Sequence, residues 1–177
     1  MKGHFITVRA SDGGTFRTYV TLPAKTPAPA LVMQHTMFGV NPLFRSFCDD
    51  YAAEGYVVVA PDLFWRIGKD IELDYNEEGY EKGHGLMRVI DKAKAVDDVA
   101  ATLRLMRALP EVRGKIAAVG YCMGGTLAFL AAAHTDVHLT VTSTLHHAIP
   151  SLSLSDVADL FRFDGWVVRT LHAALRQ

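Results

Sequence analysis

The chain lacks the features that mark several classes of protein. Its 177 residues include only two cysteines, Cys48 and Cys122, too few for a disulfide scaffold. Its longest apolar runs, such as 56–60 and 116–119, fall far short of the ~20 residues that a membrane-spanning helix needs. Eighteen basic residues against nineteen acidic ones leave a formal net charge of -1. Nothing in this balance draws the chain to nucleic acid or to an acidic membrane.

Other absences narrow the chemistry. The paired glycines show no phosphate-loop lysine pattern, and the adjacent pair His146-His147 has no third ligand at useful metal-ligand spacing. We therefore expect neither a cofactor nor a metal ion. Residues 1–9 carry Lys2, His4 and Arg9 without a continuous apolar segment, which argues against a secretory signal. This favours a cytoplasmic protein in which both thiols stay reduced.

What is present indicates a single domain over residues 1–177. Half of the residues are hydrophobic (50%) and 21% are charged, which is enough to form a real core. Strand-like and helix-like segments alternate, and this predicts an α/β fold with a mainly parallel sheet and helices on both faces. The predicted strands are 5–8, 15–22, 30–33, 56–60 and 116–119, the first two forming a hairpin; the predicted helices are 42–55, 93–109 and one from the turn at 120–125 to about 133.

One short segment carries chemistry. Gly120-Tyr121-Cys122-Met123-Gly124-Gly125 places a cysteine between a predicted buried strand and a predicted helix. This is the pattern of a nucleophile elbow, in which a strained turn leaves no room for side chains two residues to either side. The helix terminus favours the thiolate of Cys122, and the backbone N–H of Met123 can face an oxyanion. The alternative is a small buried cysteine in a glycine-rich loop.

Together with three other segments, this motif resembles the dienelactone hydrolases, which are α/β-hydrolases with a cysteine nucleophile. The four segments, in order, are Ala10-Ser-Asp-Gly-Gly-Thr-Phe16, Phe38-Gly-Val-Asn41, Ala60-Pro-Asp-Leu-Phe-Trp-Arg66 and Gly120-Tyr-Cys-Met-Gly-Gly125. The resemblance implies that Cys122 is the nucleophile and that Arg66 helps to hold a substrate carboxylate, a task suited to a planar two-pronged donor. Trp65, before the long loop expected to run to Lys82, is either part of an acyl pocket or a filler of that space.

The chain departs from the family just before Phe38. The family usually has Gln-Glu-Ile there, with the glutamate coupled to the resting cysteine, whereas this chain reads Gln34-His35-Thr36-Met37. Met37 is the candidate for the second oxyanion N–H, because it precedes Phe38 as the family isoleucine does. His35 is either a partner of Cys122 or an ordinary hydrogen-bonded loop residue.

The second departure is at the C-terminal side. The resemblance covers about residues 5–137, and the family acid would fall near Thr170 and the family histidine beyond Gln177. We therefore expect a shortened or frameshifted member in which residues 138–177 are divergent and the C-terminal part of the fold is incomplete. Composition permits a replacement triad from the acids Asp156, Asp159 and Asp164 and the bases His146, His147 and His172. Asp156 and Asp159 are more simply explained as the first turn of a short helix, and His172 as a helix residue beside an apolar stripe.

These observations leave three hypotheses. The first is a hydrolase of the dienelactone hydrolase type that acts on a small ester or enol-lactone through Cys122. The second is a catalytically impaired remnant of that fold that binds a ligand or a partner. The third is a redox-sensitive thiol, which is weakened by the distance expected between Cys48 and Cys122.

The sequence also predicts self-association. If the divergent tail leaves the strand at 116–119 as an apolar sheet edge, that edge can pair with a second chain. We expect dimers or larger species in size-exclusion chromatography with light scattering. A monomer at every concentration tested would contradict this expectation.

Overall fold

The computed structural model describes residues 3–143 and 171–175. The strands in this part of the chain are β1 His4–Arg9, β2 Thr15–Thr21, β3 Ala28–Gln34, β4 Val57–Pro61, β5 Val112–Tyr121 and β6 Leu139–Ser143. The helices are α1 Pro42–Ala53, α2 Glu77–Val89, α3 Lys92–Ala108 and α4 Met123–His134. Residues 171–175 are also helical. The strands form one sheet in the order β1-β2-β4-β3-β5-β6.

The sheet is mixed. Strands β1 and β2 form the predicted antiparallel hairpin, and β2 pairs antiparallel with β4. Strand β3 then pairs parallel with both β4 and β5, and β5 pairs parallel with β6. The parallel strands predicted from the apolar runs are confirmed. Their carboxyl ends lie along one edge, where α/β folds place their sites.

Helices cover both faces of the sheet, as the sequence predicts. Alternate side chains of β3 point to opposite faces, so Leu31 and Met33 pack with α1 while Ala30 and Val32 pack with α3 and α4. The strand β4 is buried along its whole length. Burial on both faces explains why these strands are uniformly apolar rather than alternating.

Local signals set the ends of α1. The side chain of Asn41 accepts a hydrogen bond from the N–H of Phe44, Pro42 occupies the first turn, and Gly55 follows the helix with a φ of 99°. Each feature is legible in the sequence. None of the described helices is long and apolar enough to cross a membrane.

Helix α2 lies where the sequence predicted a long loop up to Lys82, so that prediction is wrong. The side chain of Asn76 caps the helix by accepting from Gly79 N–H, and Glu77 and Glu78 occupy its first turn, where carboxylates favour the helix dipole. The helix contains three glycines, Gly79, Gly83 and Gly85, and these lower its intrinsic propensity. Packing against the loop that follows β3 compensates for that weakness.

The edge of the sheet next to β5 is covered. Strand β6 pairs with β5 from Ala117 to Tyr121. Residues 171–175 pack on the face that carries α1, where Leu171 and Leu175 are buried in the core cluster. The Lys115 ammonium group donates to the carbonyl of Ala174 over 2.8 Å. The alternation of Val137, Leu139 and Val141 with polar residues predicts one added strand, and β6 lies there.

The other expectations about the tail fall outside the described residues. They concern His146, His147, Asp156, Asp159 and Asp164, all within 144–170. The described histidine of the tail, His172, lies beside Tyr56 with a ring separation of 5.6 Å and 4.0 Å from Glu54. Glu54 directly follows α1, so the structure places His172 with that helix, as the apolar stripe of its segment suggests.

The packing of Leu171 generates a test. Leu171→Ala should lower the free energy of unfolding by about 2–5 kcal/mol, because it removes a fully buried side chain from the core. Urea denaturation measures the change. Val89→Ala, at a side chain that is 65% exposed, is the control and should change stability by less than about 0.5 kcal/mol. Equal effects of the two substitutions would show that residues 171–175 do not belong to the core.

Candidate active site

Cys122 lies in a strained turn between β5 and α4. Its φ and ψ are 55° and -119°, and it caps α4 without a side-chain hydrogen bond. A backbone conformation of this kind costs a non-glycine residue about 1–3 kcal/mol and persists only where the surroundings impose it. Strand, strained turn and helix follow each other as the elbow pattern requires.

The two glycines that flank Cys122 allow this turn to form. A Cβ at Gly120 would collide with the carbonyl oxygen of Gly124, and a Cβ at Gly124 would collide with the carbonyl oxygen of Gln34. Backbone atoms cannot move aside as the end of a flexible side chain can, so both positions require glycine. The first turn of α4 therefore lies directly against the carboxyl end of β3.

The thiol of Cys122 is partly buried, and this controls its ionisation. Burial raises the pKa of Cys122, and the hydrogen bond from Met123 N–H only partly opposes that effect. The expectation that the helix terminus makes Cys122 a thiolate therefore does not hold for the resting thiol. Within residues 3–143 and 171–175, no histidine or carboxylate forms a hydrogen bond with it.

The loop after β3 supplies the second candidate oxyanion donor. The Thr36 hydroxyl accepts from Phe38 N–H, and the Thr36 carbonyl accepts from Gly39 N–H, each over 3.3 Å. The N–H of Met37, between them, donates to none of the described residues. Helix α2 supports this loop, because a Cβ at Gly83 would already lie 3.0 Å from Met37 Cγ. Both predicted oxyanion donors, Met123 and Met37, thus lie on segments that meet near Cys122.

His35 does not pair with Cys122. Its ring is fully buried, Nδ1 donates to the Thr36 carbonyl over 2.6 Å, and Nε2 accepts from Leu63 N–H over 3.0 Å. Burial lowers the pKa of His35, which fits a neutral ring protonated on Nδ1. Of the two interpretations of this histidine, the structure matches the hydrogen-bonded loop residue.

Arg66 is held by protein carboxylates. Its Nε and Nη2 donate to the two oxygens of Asp98 over 2.9 and 2.8 Å, and its Nη1 donates to Asp12 over 2.6 Å. Asp98 has no exposed surface, and it raises the pKa of Arg66 further above its ordinary value, with Asp12 adding to the effect. The expected role in holding a substrate carboxylate does not fit, because the guanidinium is already occupied on both of its prongs.

Trp65 belongs to the same structural cluster. Its indole N–H donates to Asp98 over 2.8 Å, its ring stacks on Phe16 at 5.7 Å, and the Arg66 guanidinium lies 4.2 Å from its ring centroid. These contacts fix the turn after β4 to α3 and to the N-terminal hairpin. Of the two roles considered for Trp65, filling the space under the loop is the one that its contacts match.

Two tyrosines that sequence reasoning missed lie beside the thiol. Tyr75 stacks on Phe38 with a centroid distance of 4.0 Å, and Tyr80 meets the same ring edge-on at 5.2 Å. Burial raises the pKa of both tyrosines, and proximity to Cys122 raises it further. Phe38 was visible as part of a motif, whereas the tyrosines lie where a loop was expected.

Two ion pairs of Glu72 hold the segment that precedes these tyrosines. Glu72 binds Arg17 over 3.0 Å and Arg45 over 2.9 Å, and it forms an isolated β-bridge with Gly39. Leu73 N–H then donates to the Phe38 carbonyl. The segment before α2 is thereby fixed to the loop that carries Met37. Among the residues that the structure describes, no group of three or more His, Cys, Asp or Glu is placed to hold a metal ion.

Known proteins resemble this chain in sequence. Residues 16–159 match the model of the dienelactone hydrolase family. The chain is 40% identical over 129 residues to a carboxymethylenebutenolidase of Pseudomonas putida, and the match covers 72% of this chain and 55% of that protein. It is 36% identical over 131 residues to carboxymethylenebutenolidase 1 of Cupriavidus pinatubonensis, covering 73% of this chain and 56% of that protein. The chain thus spans about half the length of these relatives.

Solved structures share the fold. A Klebsiella pneumoniae protein assigned as a dienelactone hydrolase superposes with a TM-score of 0.68 at 21% identity, covering 87% of this chain and 63% of that one. A dienelactone hydrolase-like promiscuous phosphotriesterase from metagenomic libraries gives 0.61 at 22% identity, covering 88% and 64%. At these identities the likeness concerns the fold alone.

The two thiols should differ in reactivity. Cys48 is fully buried within α1, and burial raises its pKa strongly, so iodoacetamide should label Cys122 first. Because burial also raises the pKa of Cys122, its rate of labelling should increase with pH along a curve displaced to higher pH than that of a free cysteine peptide. Peptide mapping at a series of pH values measures both. Preferential labelling of Cys48 would contradict the elbow assignment, and a Cys122 curve displaced to lower pH would contradict the effect of burial.

Proposed function

This chain belongs to the dienelactone hydrolase family, and from that premise we propose that it hydrolyses a small ester or enol-lactone with Cys122 as the nucleophile. The observation that carries the proposal is the conformation of Cys122, whose positive φ at the start of α4 is imposed by the close contacts at Gly120 and Gly124. A buried structural cysteine has no need of this conformation.

The proposed reaction has two steps. The Cys122 sulfur attacks the carbonyl carbon as its proton leaves to a base, and the carbonyl oxygen becomes an oxyanion that accepts from the N–H groups of Met123 and Met37. Collapse of this intermediate expels the alcohol or enol oxygen, which takes up a proton, and leaves a thioester on Cys122. Water then attacks the thioester, releasing the acid and restoring the thiol.

The ionisation of the thiol limits the first step. Since burial raises the pKa of Cys122, most of the thiol is protonated near neutral pH, and attack requires removal of that proton. Inside the described segments, His35 cannot supply this base because both of its ring nitrogens bind backbone groups. The proton acceptor therefore has to be a group other than His35.

Two further points complete the proposal. Both cysteines are unpaired in the structure, which is consistent with a reducing compartment such as the cytoplasm. Self-association through the sheet edge also remains part of the proposal, with β6 rather than β5 as the edge strand of the described sheet.

The proposal predicts that Cys122→Ala lowers kcat/KM for 4-nitrophenyl acetate by at least about a hundredfold, because the nucleophile is lost while the oxyanion donors remain. Cys48→Ala is the matched control and should retain most of the activity, since Cys48 is buried within α1. Release of 4-nitrophenolate measures the rates. Equal activity of the two variants would exclude Cys122 as the nucleophile.

A further inference from the structure

Three described cations on the segments around the candidate site are paired with protein carboxylates. Arg66, the cation expected to hold an anionic substrate, is bound by Asp98 and Asp12. On the elements around Phe38, Arg45 binds Glu72, and Lys82 of α2 binds Glu78. None of these cations contributes to the pKa of Cys122, which burial dominates.

The surface beside the thiol is instead aromatic. Phe38 stacks on Tyr75 and meets Tyr80 edge-on, and we call these three residues the aromatic wall. A wall of this kind receives a flat apolar group through ring contacts. It offers a carboxylate no countercharge in exchange for the water that the carboxylate would lose.

One hydroxyl of the wall has no hydrogen-bond partner. Tyr75 Oη is buried and forms no hydrogen bond within the described structure, and burial raises the pKa of Tyr75 to about 12. Thr36 and Asn41 lie nearby and partly oppose the effect of burial on the pKa of Tyr75, but neither side chain is in hydrogen-bond geometry with its hydroxyl. A buried donor left unpaired lowers stability, so a bound acceptor would be stabilised here.

From these observations we propose that the Cys122 site selects uncharged esters or lactones. Their flat face packs on the aromatic wall, and their bridging ester oxygen accepts a hydrogen bond from Tyr75. This proposal rests on the proposed function. It favours uncharged substrates, whereas the motif of Arg66 implied a substrate with a carboxylate. The preference for uncharged molecules follows from the contacts of Arg66, whose guanidinium binds Asp98 and Asp12.

The first test needs no turnover. Iodoacetamide and iodoacetate differ in charge and alkylate the same sulfur, and their rate ratio on Cys122 is compared with the ratio on a neutral cysteine peptide. Both ratios are measured at about pH 8. We expect the ratio on the protein to favour the neutral reagent by at least about fivefold over the peptide. A ratio equal to that of the peptide, or one favouring iodoacetate, would overturn the proposal.

Variants locate the effect. Tyr80→Arg adds a cation to the wall and should bring the ratio back towards that of the peptide, whereas Tyr80→Phe is the matched control and should leave it unchanged. Arg66→Gln should lower the melting temperature without changing the ratio, because Arg66 binds protein carboxylates. Loss of the neutral preference in Arg66→Gln would return Arg66 to the substrate site. If Tyr80→Arg does not fold, the wild-type ratio alone still decides.

A second test uses esters. 4-Nitrophenyl butyrate and mono-4-nitrophenyl succinate differ by a methyl group against a carboxylate, and kcat/KM should be higher for the butyrate. Tyr75→Phe should lower kcat/KM for 4-nitrophenyl butyrate about threefold to tenfold, since the hydrogen bond to the ester oxygen is removed. Cys48→Ala, within α1 and outside the site, is the control and should retain most of the activity. Hydrolysis with a preference for the succinate would overturn the inference while the proposed function stands. If no ester is hydrolysed, the proposed function fails and the alkylation ratio still decides the preference for neutral molecules.

Discussion

The approach of α4 to the carboxyl end of β3 is the constraint on which the rest of the site depends. The carbonyl oxygens of Gln34 and His35 both lie against the position that a Cβ on Gly124 would take, the second of them 2.7 Å away. This contact brings the start of the helix, the strained Cys122 and the loop of Met37 to one place. The glycine motif therefore acts through packing between two elements distant in the sequence, in addition to its effect on the local turn.

Two effects compete at the thiol, and their magnitudes decide which one dominates. A helix terminus contributes about 0.3–1 kcal/mol to a nearby anion at an exposed position, which is less than one pKa unit. Burial in a weakly polar environment shifts a pKa by up to several units in the opposite sense for a thiol. Cys122 is partly buried beside the aromatic wall, so desolvation outweighs the helix. A cysteine in this turn thus requires a base before it can react.

Sequence reasoning recovered what local signals specify. Asn41, Pro42 and Gly55 mark the ends of α1 through groups within a few residues, and the apolar runs mark strands buried on both faces. Arg66 shows where such reasoning fails, because its role is set by Asp98, 32 residues away along the chain. Helix α2 was missed because its glycines conceal the helical pattern, and its stability comes from packing on Met37. The role of a residue in a motif can be assigned only when the residues that it contacts in the fold are known.

The contacts of His35 limit which side chain this position can hold. Its ring donates to the Thr36 carbonyl and accepts from Leu63 N–H, so it ties the ends of β3 and β4 with one donor and one acceptor. The glutamate usual in the family could serve Leu63 but, when ionised, would place a buried charge against the Thr36 carbonyl. Replacing His35 with glutamate would therefore keep the bond to Leu63 and destabilise the loop at Thr36. A side chain at this position has to offer one donor and one acceptor, which a neutral histidine does.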